Sequence, residues 1–207
     1  MSKKGVKDYG APHHGGDFFA RLRRVRVPFE AEDLAGLKAG ELVGLSGVIY
    51  TGRDQTHRRL CDLLDQGENL PVGLSGGLLY YVGPTPAPPG RVIGAAGPTT
   101  SYRMDPYTPR LLALGLSATM GKGARSPEVR AAMLKHGAVY LATIGGAGAL
   151  LSACVKKSEL VAFPDAGAEA MFRFEVEGFP AVVINDLQGR DYYQEVRGQK
   201  AQRRGVT

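Results

Sequence analysis

Three cationic side chains stand in short turns that contain glycine. Arg53 lies in Thr51-Gly52-Arg53-Asp54, Arg103 follows Gly97-Pro98-Thr99-Thr100-Ser101-Tyr102, and Lys122 sits between Gly121 and Gly123. Glycine lets a ligand approach the backbone closely. A guanidinium offers a planar fork of donors that matches a carboxylate or phosphate. Thr99, Thr100 and Ser101 add hydroxyls to the second turn. The chemistry open to such residues is anion binding, with two Arg-bearing turns at neighbouring strand ends building one pocket. The alternative is a loop whose Thr and Ser bond their own backbone and whose Arg is solvated. Asp54 and His57 follow Arg53. Asp54 reads most simply as a helix cap. His57 is either a packed first-turn residue or a functional acid or base.

The surrounding pattern supplies elements to hold these turns. Alternation at Val25, Val27 and Phe29 predicts a strand, Glu32 to Leu37 a short helical turn, and LVGLSGVIYTG a buried strand. Leu60, Leu63 and Leu64 mark a helix beginning near Asp54. Gly77 to Gly83 reads as a strand, and Pro84 to Gly90 as a surface connector. The apolar run Val92, Ile93, Ala95 and Ala96 reads as a strand stopped by Gly97-Pro98. Asp105 and Pro106 then open a helix that closes at Gly115. Leu116 to Met120 is a short strand, and Ser126-Pro127 starts a helix with a stripe of Val129, Ala132, Met133 and His136, ended by Gly137. AVYLATI is a buried strand, after which Gly145-Gly146-Ala147-Gly148 opens a small-residue helix. The spacing of these glycines is wrong for a dinucleotide fingerprint. Val155 to Phe163 is strand-like, Phe172, Phe174 and Val176 alternate, and Ala181 to Ile184 is a core strand ending in a turn at Gln188-Gly189. Glu169 and Asp186 are structural acids or partners of the basic turns. The whole reads as a single compact α/β domain over 25–196, with basic flexible ends at 1–24 and 197–207.

Composition narrows the class. A chain of 207 residues with 43% hydrophobic and 22% charged residues can bury a full core. No apolar run is long enough for a membrane span, and the polar start does not read as a secretory signal, so the expected location is cytoplasmic, with no membrane contact. The formal charge is +6, but residues 1–27 carry seven Lys/Arg against two acids, and 197–207 carry four against none. The body between them is net negative, so no nucleic-acid footprint is expected on the domain. Cys61 and Cys154 are too few for a disulfide framework or a metal site. His13-His14 is a weak candidate metal site without partner ligands.

The turns taken together resemble the β subunit of class I iron–sulfur fumarate hydratases and L(+)-tartrate dehydratases, equivalent to the C-terminal domain of the single-chain enzymes. The likeness lies in LSGVIYTGRDQTHRRL, GLLYYVGPTP, GAAGPTTSYRMDPYTPRLLALG, MGKGARSPEV, the GGAGALL segment and PDAGAEAMFRFEVEGFPAVVINDLQG. It covers about Val25 to Gln194. The resemblance implies a swivelling β/β/α domain and the reversible addition of water to a dicarboxylate double bond. It implies a [4Fe-4S] cluster held by three Cys of an α subunit, and an αβ or α2β2 complex. By the same resemblance Arg53, Arg103 and Lys122 match the substrate-carboxylate binders and Thr99 the base at C3. Asp54 and His57 belong to the same motif and are expected, with Thr99, among the catalytic residues.

Fumarate is favoured over tartrate because TGRD, YYVGPTP and PDAGAEA look more like the fumarase side. Two other classes remain. One is a stand-alone anion- or nucleotide-binding protein using the glycine-rich turns. The other is an RNA-binding or assembly protein acting through its basic ends.

Overall fold

The computed structural model describes residues 22–143 and 146–203. His13 and His14 lie outside the described residues, as do Gly145 and the last four positions. Strand β1 (Arg23–Val27) leads through the short helix α1 (Ala31–Ala35) into β2 (Leu42–Thr51). Helix α2 (Asp54–Asp65), β3 (Leu78–Tyr80), a 3-10 turn (Ser101–Met104) and α3 (Thr108–Leu112) follow. Next come β4 (Ala118–Gly121), α4 (Pro127–His136), β5 (Val139–Ala142), α5 (Gly148–Ala153) and β6 (Val155–Ala162). A second 3-10 stretch (Pro164–Glu169), β7 (Met171–Asn185) and α6 (Tyr192–Arg203) complete the chain.

The strands β1 to β5 run parallel, each to the next. Strand β7 is antiparallel to β5, β6 and β2, and its pairing with β2 closes β2, β3, β4, β5 and β7 into a barrel. Alternation along the short strands sorts their side chains. Leu78, Tyr80, Ala118, Met120, Val139 and Leu141 share one core with Phe174, Phe179, Ala181 and Val183, inside the ring. Leu79, Tyr81, Tyr140 and Ala142 face outward, under Leu60, Met104, Leu111, Leu112, Val129 and Met133 of the helical segments. Each such aliphatic side chain contributes on the order of 1.5–3 kcal/mol on burial. Ile93, Ala96 and Leu151 join the inner core, where the Tyr80 hydroxyl donates to Ala96 O.

Local chemistry fixes the ends of α4 as expected. Ser126 Oγ accepts from Val129 N at 3.3 Å, Pro127 occupies the first turn, and Gly137 adopts the left-handed conformation at φ 68°. Elsewhere tertiary structure overrides the local pattern. Val92 to Ala96 is not a strand; it is a loop over the barrel mouth, with Ala96 N bonded to Gly148 O and Gly94 N to Thr85 O. Asp105 does not cap a helix from Pro106. Its carboxylate accepts from Arg125 Nε at 2.7 Å and Ser126 N at 2.8 Å, so the segment forms a 3-10 turn and then the shorter α3. The two expected strands around Phe174 and Val183 are one strand of 15 residues running through Gly178. Helix α6 continues past position 197 to Arg203.

Candidate functional site

The C-terminal ends of β2, β3 and β4 lie side by side; β2 and β4 pass directly into the turns of Arg53 and Lys122, and the Thr99–Arg103 turn returns to the end of β3 after the long loop that follows Tyr81. Gly52 N donates to Tyr80 O at 3.0 Å, which aligns the end of β2 with that of β3. Beyond β3, Thr99 N donates to Tyr81 O at 2.7 Å. Lys122 N then donates to Thr99 O at 3.2 Å and Ser101 N to Lys122 O at 2.8 Å. Thr99 to Ser101 is thus laid as a parallel rung against the exit of β4, with Thr100 bridged to Lys122. Gly121 permits this approach, because a Cβ there would stand 2.2 Å from Ser101 Oγ and 3.0 Å from Thr99 O. Thr99 and Lys122 are thereby neighbours in the backbone hydrogen-bond ladder.

Two of the three cations are held by resident carboxylates. Arg103 meets Asp54 through Nε–Oδ1 at 3.0 Å and Nη2–Oδ2 at 2.8 Å, a two-point grip. Arg53 meets Glu169 through Nη2–Oε1 at 3.2 Å. Because Asp54 follows Arg53 in the first turn of α2, the two arginines are tied to one helix end. Lys122 is exposed and has no ion-pair partner among the described residues. Thr99 is half-buried. The structure therefore brings Arg53, Asp54, Thr99, Arg103 and Lys122 to one edge of the sheet.

His57 is placed differently. It has no exposed surface, its Nδ1 lies 2.8 Å from Arg53 O, and its ring meets Tyr81 edge-on at 5.1 Å and tilts toward Tyr107 at 6.2 Å. The carbonyl can only accept, so Nδ1 carries the proton and Nε2 is unprotonated, without a hydrogen-bond partner among the described residues. Burial first, and the Arg125 charge after it, lower its pKa to about 4 against the pull of the Arg53 carbonyl. The side chain is a neutral prop beneath Arg53.

Arg125 supports the site from behind. Its side chain is fully enclosed and donates to Asp105 at 2.7 Å, Thr119 Oγ1 at 2.8 Å, Thr108 Oγ1 at 2.8 Å and the Tyr81 hydroxyl at 3.2 Å. The guanidinium also stands over the Tyr81 and Tyr140 rings at 5.3 and 5.2 Å. Burial opposes its charge, but Tyr81, Asp105 and Tyr140 outweigh that and raise its pKa. One residue thus joins β3, β4 and the segment that carries Thr99 and Arg103. Sequence reasoning did not single it out, although MGKGARSPEV contains it. Its signal was a lone Arg between a strand end and a capped helix.

A sheet closed into a barrel, with the turns that carry Arg53, Thr99, Arg103 and Lys122 gathered at its parallel strand ends, defines an α/β domain of one architecture. The family model described as Fumarase C-terminus matches residues 16–196, and the chain belongs to that family. It is 42% identical over 157 residues to the aerobic class I fumarate hydratase of Escherichia coli K12, covering 75% of this chain and 29% of that protein. Fumarate hydratase 2 of Leishmania major is 39% identical over 166 residues, covering 79% and 29%. A protein of Methanocaldococcus jannaschii provisionally named L(+)-tartrate dehydratase subunit beta is 37% identical over 171 residues, covering 80% of this chain and 88% of its own length. The chain thus spans about a third or less of the fumarate hydratases it matches and nearly all of the beta-subunit relative.

An iron–sulfur cluster does not fit the donors of this chain. Cys61 and Cys154 are both buried, and burial raises both thiol pKa values. Among the described residues, no three His, Cys, Asp or Glu side chains are grouped to hold a metal ion. No described helix is long and apolar enough to cross a membrane.

Proposed function

We propose that this chain is the β subunit of a class I hydro-lyase that reversibly hydrates fumarate to L-malate, acting with an α subunit that carries the [4Fe-4S] cluster. The observation that carries this reading is that the turns bearing Arg53, Thr99, Arg103 and Lys122 lie together at adjoining strand ends. A dianion needs cations for both carboxylates, and charge-assisted bonds from Arg or Lys supply ~1.5–3 kcal/mol each. In this assignment the three cations fix the two carboxylates, and Thr99 holds or takes the proton at C3. A Thr hydroxyl is a weak base in water; in this assignment the cations that bind the substrate favour its alkoxide. Asp54 orients Arg103, and His57 supports the turn through the Arg53 carbonyl, so both serve the site without touching substrate.

Support for a subunit that draws its cluster from a partner comes from the sequence, whose two cysteines fall short of the three ligands that the resemblance implies. It also comes from near full-length similarity to a protein named as a beta subunit. A closed sheet with its binding edge at the barrel mouth fits the swivelling β/β/α domain of the resemblance, which opens and shuts a shared cleft. L(+)-tartrate dehydratase is the second reading, favoured by that same relative.

The test is reconstitution with an α subunit and iron and sulfide under anaerobic conditions. The complex is expected to hydrate fumarate, and the isolated chain to be colourless and inert. Arg103→Ala or Thr99→Ala in the complex should lower kcat/KM by a factor of about 100 or more with the fold retained. Wild-type turnover by either variant would remove the assignment.

A further inference from the structure

Glu169 does three things at the first turn of α2. Its Oε1 meets Arg53 Nη2 at 3.2 Å, its Oε2 accepts from Gln55 N at 3.1 Å, and its backbone carbonyl accepts from the Thr56 hydroxyl. Helix α2 has no side-chain cap of its own, so this distant carboxylate satisfies one of its orphan N–H groups. The 3-10 stretch that carries Glu169 is pinned at its other end, where Arg59 pairs with Asp165 and stands over the Phe163 ring at 5.4 Å. Opposite it, Gly83 leaves room for Arg53. A Cβ there would meet Arg53 Nη1 at 3.1 Å, Arg53 Cδ at 3.2 Å and Ala168 O at 2.9 Å. Arg53 therefore lies in a slot between Gly83 and the 164–169 strap.

We propose that Glu169 is a positioning residue for Arg53, setting the direction of its guanidinium and hence the placement of one substrate carboxylate; this rests on the dicarboxylate reading above. The opposing account is a competitor: a resident carboxylate that occupies Arg53 until substrate displaces it. The geometry separates the two. Asp54 grips Arg103 with both oxygens, whereas Glu169 gives Arg53 a single oxygen and commits the other to a backbone amide. At 3.2 Å the contact is longer than the ~2.7–2.9 Å of a tight charge-assisted bond. Glu169 thus engages only one nitrogen of the Arg53 fork, and the side chain keeps a quarter of its surface exposed, 25%. A long side chain already confined to one rotamer loses less freedom on binding, which is the physical gain from such steering.

The decisive measurement is hydrogen exchange of the Arg53 Nε–H in the 15N-labelled full chain, its signal assigned by loss in Arg53→Lys. This atom is buried and has no hydrogen-bond partner among the described residues, so its protection reports how firmly the side chain is held. Glu169→Gln keeps an oxygen for Gln55 N and the carbonyl for Thr56, and puts an uncharged NH2 donor in place of the anionic acceptor facing Arg53. Exchange is expected to quicken roughly tenfold, the equivalent of one charge-assisted contact. Glu169→Asp, with its charge kept but its reach shortened, should recover part of the protection. In the reconstituted complex Glu169→Gln should raise KM for fumarate about tenfold and leave kcat within about twofold, the pattern of lost uniform binding. Unchanged exchange, or a lower KM, would overturn the proposal, the latter in favour of the competitor. If the wild-type complex does not hydrate fumarate, the hydratase reading falls while the exchange measurement still decides the role of Glu169.

Discussion

His57 has no exposed surface, and its pKa is lowered from 6.5 to about 4. Between those values the unfolded chain binds a proton that the native chain rejects. The contribution to stability is therefore complete above about pH 6.5 and is lost as pH falls toward about 4, a change on the order of 3 kcal/mol. His57→Asn keeps a donor for Arg53 O and cannot titrate. Urea melts at pH 7 and pH 4.5 should show a stability difference for the wild type that shrinks by that amount in the variant. An identical pH dependence would mean that the imidazole is not held neutral. His57 was open in the sequence between packing and function because an Asp-x-x-His helix start suits both. Only its enclosure by Tyr81 and Tyr107, which come from other segments, decides the matter.

Among the elements, the rung of Thr99 to Ser101 carries the most consequence. It has no hydrophobic pattern and no regular strand of its own, yet it is fastened by three backbone hydrogen bonds to Tyr81 and Lys122. Gly121→Ala would force it outward, and small-to-large changes in such tight places cost about 1–3 kcal/mol. The variant should lose that much stability in a urea melt, and in the complex it should lose fumarate turnover along with it. Behind the rung, Arg125→Met would leave Asp105, whose side chain is 11% exposed, without its cation. Breaking a buried pair from one side costs about 3–5 kcal/mol, so a large fall in Tm is expected. Legibility in the sequence follows from these differences. The strands that feed the site, helix α2 and the capped helix α4 each show local signals, in apolar runs, in the Leu60-Leu63-Leu64 spacing and in Ser126-Pro127. The loop at Val92 to Ala96 and the turn at Asp105 do not. Their conformations are set by Tyr80, Gly148 and Arg125, which lie far from them along the chain.

For the molecule as a whole, β1 and β6 are the strands at the margins of the sheet among the described residues. Arg24 and Arg26 project from β1, and Lys156 and Lys157 from β6, all exposed. Charges on edge strands discourage pairing with further strands. Replacing Arg24 and Arg26 with Val should produce concentration-dependent self-association in light scattering, and a variant that stays monomeric would show that the edge is protected by other means. The basic character noted in the sequence thus has a structural part in β1, apart from any role of the ends.

Strand β7 sets the order in which this molecule can come together. It closes the ring against β2, which lies more than a hundred residues earlier in the chain, and Glu169 just before it meets Gln55 across 114 positions. Contacts of such sequence separation form slowly, since a long loop must be drawn in before anything is gained. The parallel strands can assemble as a partial sheet while β7 is still being synthesised, but Arg53 then has neither its carboxylate nor its slot. Anion-binding competence should therefore appear in the last kinetic phase of refolding, together with ring closure, and not before it.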